Sequence, residues 1–160
     1  MSNYKFINGN LSLRNLTLET GGVPIRSIVI STWRSGSSYF GQILSIMPQN
    51  FYFYEPLLPF GVKQIQGPPK DKIALNYLSK LMKCEFDDVE PFIKFARKHH
   101  FFFAQNQHLE SYCKGFSKFC RSPEFLQPFC KLFPLQSMKI LRMRLKIAAD
   151  FLRDLRCETS

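Results

Sequence analysis

Seven consecutive residues, Thr32-Trp33-Arg34-Ser35-Gly36-Ser37-Ser38, bring together the groups that an anion site needs. Arg34 supplies a fixed charge, three serines supply hydroxyl donors, and Gly36 lets the backbone approach a ligand closely. The segment follows Ile25-Arg26-Ser27-Ile28-Val29-Ile30, a β-branched run that reads as a buried strand. It precedes Phe40, Ile43, Leu44 and Met47, which recur at i, i+3, i+4 and i+7 until Pro48 stops the helix. At such a junction the first helical N–H groups lack partners and the helix dipole is positive, so an anion is favoured there. The spacing is not G-x-x-x-x-G-K-[ST], and no lysine takes the triphosphate position. The expected ligand is therefore a phosphate or phosphosulfate, without the apparatus for ATP hydrolysis. A plain strand-to-helix turn with a serine cap accounts for the same residues without any ligand.

The elements that must hold this loop follow from pattern. Strands are expected near 26–31, 51–54 and 139–145, the last from the alternation Lys139-Ile140-Leu141-Arg142-Met143-Arg144-Leu145. Helices are expected near 37–47, 71–83 and 88–98, and again from Ile147 onward, where Ala148, Phe151, Leu152 and Leu155 share a stripe. Residues 105–137 read as irregular, and residues 1–24 as a loosely ordered lead-in before a domain over 25–160. Strands alternating with helices imply an α/β fold, a parallel sheet flanked by helices. The strand at 26–31 is expected at its centre, because it leads into the loop.

Composition bounds the partners. The chain has 160 residues, with 22 Lys plus Arg against 12 Asp plus Glu, a net charge of +10. That field attracts polyanions: nucleic acid, anionic lipid, sulfated glycan or nucleotide. A nucleic-acid interface needs a basic face interleaved with exposed aromatics, which the pattern does not show. No apolar run approaches a membrane span, and the N-terminus lacks the apolar segment of a signal peptide. Five cysteines, Cys84, Cys113, Cys120, Cys130 and Cys157, contain no C-x-x-C pair. Zinc bound by His108 with the cysteines fits no finger spacing, whereas disulfides in an oxidising lumen fit the cluster better. The odd count leaves one thiol over. Two sequons, Asn10-Leu11-Ser12 and Asn15-Leu16-Thr17, agree with a luminal setting.

Thr32 to Gln42 resembles the 5′-phosphosulfate loop of the Golgi carbohydrate sulfotransferases, which sulfate galactose, N-acetylglucosamine or N-acetylgalactosamine at the 6-position. Phe53-Tyr54-Glu55-Pro56 is similar to that family's aromatic-Glu-Pro triplet, and Lys139-Ile140-Leu141-Arg142-Met143-Arg144 to its K-x-x-R-x-R strand. The resemblance implies a P-loop-type sheet and 3′-phosphoadenosine 5′-phosphosulfate (PAPS) as sulfate donor, with no metal. Arg34, Ser35, Gly36, Ser37, Ser38 and Tyr39 would bind the donor, and Glu55 would be the general base. The acceptor would be a galactose- or hexosamine-containing glycan in the Golgi lumen. His99, His100 and His108 are other possible bases, without support from their spacing.

The family's second motif, V-R-D-P-R after a strand, holds the 3′-phosphate. Leu152-Arg153-Asp154-Leu155-Arg156 imitates it but lies on a helical stripe, so it is not that motif. By this comparison the chain is expected to be the front portion of a sulfotransferase domain, a fragment or truncated product with an incomplete sheet and poor or absent turnover. The alternative reading is a non-catalytic basic module that binds nucleotide or sulfated glycan.

Overall fold

Parallel pairing of three short strands positions everything that follows. The computed structural model describes residues 23–61, 63–114 and 118–157, and of 154–157 the backbone alone. Nearly all of the expected lead-in, both sequons and the Cys157 side chain therefore lie outside the described residues.

β1 (Ile25–Ile30) and β2 (Asn50–Tyr54) both pair in parallel with β3 (Leu135–Ile140). The order is β1-β3-β2, so β3 and not β1 is the central strand. The expected third strand is also displaced. Only Lys139 and Ile140 of the 139–145 alternation are extended, and Arg142 turns to a left-handed φ of 68° that ends the strand. The true start was hidden because Gln136 and Ser137 are polar yet buried. Each polar group is compensated: Gln136 donates to Cys84 Sγ at 3.2 Å, and Ser137 Oγ accepts from Asn50 Nδ2 at 2.7 Å.

α1 (Ser37–Ile46), α2 (Lys70–Met82) and α3 (Glu90–Lys98) form where the apolar spacing places them. Residues 105–137 are more regular than expected. They hold α5 (Gln107–Tyr112), a 3₁₀ turn at Phe119–Arg121, α6 (Pro123–Lys131) and the first residues of β3, while α4 (His100–Ala104) lies just before. Asn106 caps α5 by accepting from Leu109 N at 3.0 Å. Pro128 inside α6 explains why the sequence conceals that helix. The Leu152–Arg156 segment lies within α7 (Leu145–Cys157), as its stripe implies.

The two faces of the sheet differ. Phe51, Phe53, Met138 and Ile140 share one face and enter the main apolar core with Leu78, Leu81, Phe86, Val89, Phe92 and Leu126. Asn50, Tyr52, Tyr54, Ser137 and Lys139 share the other. There α1 closes in: Asn50 Nδ2 donates to Leu44 O at 2.6 Å, and Gly41 packs on Tyr52. Two disulfides, Cys84–Cys130 and Cys113–Cys120, tie the helical layer. No helix among the described residues is long and apolar enough to cross a membrane.

Candidate functional site

In a parallel sheet the carboxyl ends of all strands point one way, and ligands bind in the crevice just beyond them. Here β1 leads into the Thr32–Gly36 turn, β2 is followed at once by Glu55, and β3 is followed by Leu141 and Arg142. Five non-glycine residues among those described have positive φ. Three of them stand at this end: Arg34 at 66°, Glu55 at 36° and Arg142 at 68°. Left-handed backbone at a non-glycine residue costs about 1–3 kcal/mol and collects at functional sites.

The turn is built by its own hydroxyls. Ser35 Oγ donates to Thr32 O at 2.8 Å and shares a 2.7 Å hydrogen bond with Ser31 Oγ. Gly36 takes φ 75°, which a side chain would resist, and starts α1 with no side-chain cap. Ser37 and Ser38 are the first two residues of the helix. Arg34, Ser38 and Tyr39 are exposed, and Ser37 is half-buried. An anion could therefore meet the uncapped N–H groups of α1, two hydroxyls and a free-standing guanidinium. Ser35, expected to face the ligand, instead uses its hydroxyl to shape the turn.

Glu55 is not a surface carboxylate closing a strand. Its side chain is 10% exposed, and Oε1 accepts from Lys139 Nζ at 3.0 Å; Oε2 lies 4.0 Å from Arg142 Nη2. The Lys139 side chain is 1% exposed, and its ammonium also sits 5.1 Å from the centre of the Tyr54 ring. One carboxylate faces two buried cations, so the cluster keeps one excess positive charge. Arg142 is 7% exposed, donates Nη1–H to Gly61 O at 2.8 Å, and has a buried Nε with no hydrogen-bond partner. Its guanidinium carbon stands 5.8 Å from the Trp33 ring. Arg142 thus joins the turn after β1 to the carboxylate after β2. Burial first, then the Glu55 carboxylate, pushes the Tyr54 hydroxyl above its ordinary range, and Arg142 opposes the shift.

Sequence reasoning used Lys139 and Arg142 only as part of a motif and assigned them no role. The available signal was a lysine inside an apolar strand, flanked by Met138 and Ile140. The histidines lie elsewhere: His108 Nε2 contacts Met47 O at 2.8 Å, beyond the opposite end of α1, and His100 Nδ1 contacts Arg121 at 2.7 Å. Cys113, Cys120 and Cys130 are disulfide-bonded, so the zinc reading loses its thiolates.

Comparison with known proteins points to one enzyme class. Human (Homo sapiens) carbohydrate sulfotransferase 2 is 37% identical over 73 residues, 39% of this chain and 14% of that protein. Mus musculus carbohydrate sulfotransferase 5 is 30% identical over 78 residues, 48% of this chain and 20% of that protein. Rattus norvegicus carbohydrate sulfotransferase 7 is 35% identical over 65 residues, 36% of this chain and 12% of that protein. These alignments span at most a fifth of the relatives' length. No protein-family model and no solved structure gives a significant match.

Proposed function

We propose that this chain binds PAPS and serves its transfer of sulfate to a hydroxyl of a galactose- or hexosamine-containing glycan. The observation behind this reading is the convergence of the turn, Glu55 and Arg142 at the carboxyl ends of three parallel strands. The similarity to carbohydrate sulfotransferases supplies the reaction class. An uncapped helix start beside an exposed arginine fits a phosphosulfate. When bound, PAPS supplies the sulfuryl group.

The residues of the chain then have separate tasks. Arg34, Ser37, Ser38 and the backbone at Gly36 hold the phosphosulfate, with Tyr39 alongside, and Ser35 keeps the turn in shape. Glu55 accepts the proton of the attacking sugar hydroxyl at Oε2. Lys139, bonded to Oε1, fixes the direction in which the carboxylate points. Positioning and charge stabilisation dominate sulfuryl transfer as they do phosphoryl transfer, and the excess positive charge of the cluster is suited to both. The two disulfides support an oxidising compartment, in this reading the Golgi lumen.

Calorimetry with 3′-phosphoadenosine 5′-phosphate tests the donor site. Arg34→Ala should weaken binding by roughly ten- to a hundredfold, the loss of one or more charge-assisted hydrogen bonds. Equal affinity for both proteins counts against the reading. Radiolabelled sulfate transfer from PAPS to galactose- and hexosamine-containing glycans tests the chemistry. Glu55→Gln should bind the nucleotide normally and transfer nothing. Nucleotide binding by the wild type with no transfer favours the non-catalytic module instead.

A further inference from the structure

Arg142 also lines a cleft of about 480 Å³ enclosed by the 3₁₀ turn Leu58–Phe60, the loop that follows it, and the start of α2. That volume lies within the roughly 300–1,000 Å³ of small-ligand sites. The walls are tied down. Ile65 pairs with Met143 in a parallel bridge, Ile65 N donates to Arg142 O at 2.8 Å, and Arg142 Nη1 donates to Gly61 O at 2.8 Å. A second, more open depression of about 630 Å³ adjoins it through Lys63, Gln64 and Lys70.

The lining has a definite chemistry. Lys63, Lys70 and Arg142 bring positive charge, and no aspartate or glutamate lines either depression. No ion pair among the described residues engages Lys63 or Lys70. Arg142 reinforces the point, since it is a nine-tenths buried cation that shares its only carboxylate with Lys139. Gln64 offers an amide to hydroxyl groups. Phe60 is 44% exposed, and edge-to-face contact with Tyr77 at 4.9 Å holds its ring in place. An apolar ring, an amide and unopposed cations suit a saccharide that carries a negative group.

We propose that this cleft is the acceptor subsite and that it takes a glycan already bearing an anionic group, a sulfate or a uronate. The inference rests on the sulfotransferase reading for the direction of the acceptor, because the cleft ends at Arg142 beside Glu55. The cations recognise the existing charge, and Phe60 supports a sugar ring.

The experiment measures binding of three size-matched oligosaccharides to the whole chain by calorimetry: one neutral, one sulfated, one containing uronate. Variants are Lys63→Gln with Lys70→Gln, Phe60→Ala, and Arg34→Ala as the donor-site control. The charged saccharides should bind at least about fivefold tighter than the neutral one, and the double lysine variant should lose about three- to tenfold of that affinity. Preference for the sulfated or the uronate compound identifies the anionic group, and either supports the proposal. The double variant should keep its affinity for 3′-phosphoadenosine 5′-phosphate, and Arg34→Ala should keep its affinity for the saccharide. Equal binding of neutral and charged compounds overturns the proposal, as does indifference to the lysine changes or competition between nucleotide and saccharide. If the saccharide binds as described and the nucleotide does not bind at all, the donor reading fails and the cleft stands.

Discussion

Lys139 and Glu55 are 84 residues apart in sequence and 3.0 Å apart in space, with side chains 1% and 10% exposed. Removing one partner from a buried pair strands the other charge, which costs about 3–5 kcal/mol. Lys139→Met should lower unfolding stability by that order in urea titration. Adding Glu55→Gln to Lys139→Met should recover much of the loss, because the orphaned charge disappears. A stable Lys139→Met single variant would show that the pair has no structural role.

Gly41→Ala is the second prediction. At an open helix position alanine gains about 0.5–1 kcal/mol over glycine. At Gly41 the added methyl would overlap Tyr52 Oη and lie 3.4 Å from Lys139 Cδ. Overpacking of this kind costs about 1–3 kcal/mol, so the variant should be destabilised, against the propensity trend. Tyr52 Oη has no hydrogen-bond partner, so Tyr52→Phe removes the obstructing atom cheaply and should rescue Gly41→Ala. Thermal melts of the single and double variants check both signs.

The disulfides should differ in weight. Cys84–Cys130 closes 46 residues and Cys113–Cys120 closes 7. Loop-closure entropy gives about 4 kcal/mol for the first and about 2 kcal/mol for the second. Paired alanine replacements followed by urea unfolding should reproduce that order, and a larger loss from Cys113→Ala with Cys120→Ala would contradict it.

Alkali should unfold the protein through its buried tyrosines. Tyr52, Tyr54 and Tyr77 are all pushed above the ordinary value of 10.0, in each case chiefly by burial. Between the unfolded and folded values the unfolded chain binds fewer protons, so stability present below pH 10 falls as pH rises beyond it. Stability measured from pH 9 to 12 should decline, and Tyr52→Phe should flatten the slope. A slope unchanged by that replacement would count against the assignment.

The sequence made some of this architecture legible and concealed the rest for physical reasons. The β-branched run before Ser31 and the stripe from Phe40 to Met47 are local patterns, and β1 and α1 form there. The centre of the sheet is not a local property. Gln136, Ser137 and Lys139 look like surface residues until Cys84, Asn50 and Glu55 arrive to satisfy them. The turn residues could be named from their types, whereas the link from Trp33 through Arg142 to Glu55 depends on three separate strand ends meeting.

The strand order has a consequence for biosynthesis. Contacts between β3 and its neighbours span 87 residues from Asn50 to Ser137 and 110 from Arg26 to Gln136. At about 5–20 residues per second a ribosome takes roughly 4–17 s to bridge the shorter gap. Until then β1 and the aromatic β2 have no sheet partner and need a chaperone's cover. The nested disulfides add a second delay. Cys113 and Cys120 reach the lumenal oxidants before Cys130, so a chain oxidised in order of emergence would pair Cys84 wrongly. Efficient maturation therefore calls for a disulfide isomerase that acts after Cys130 has been made.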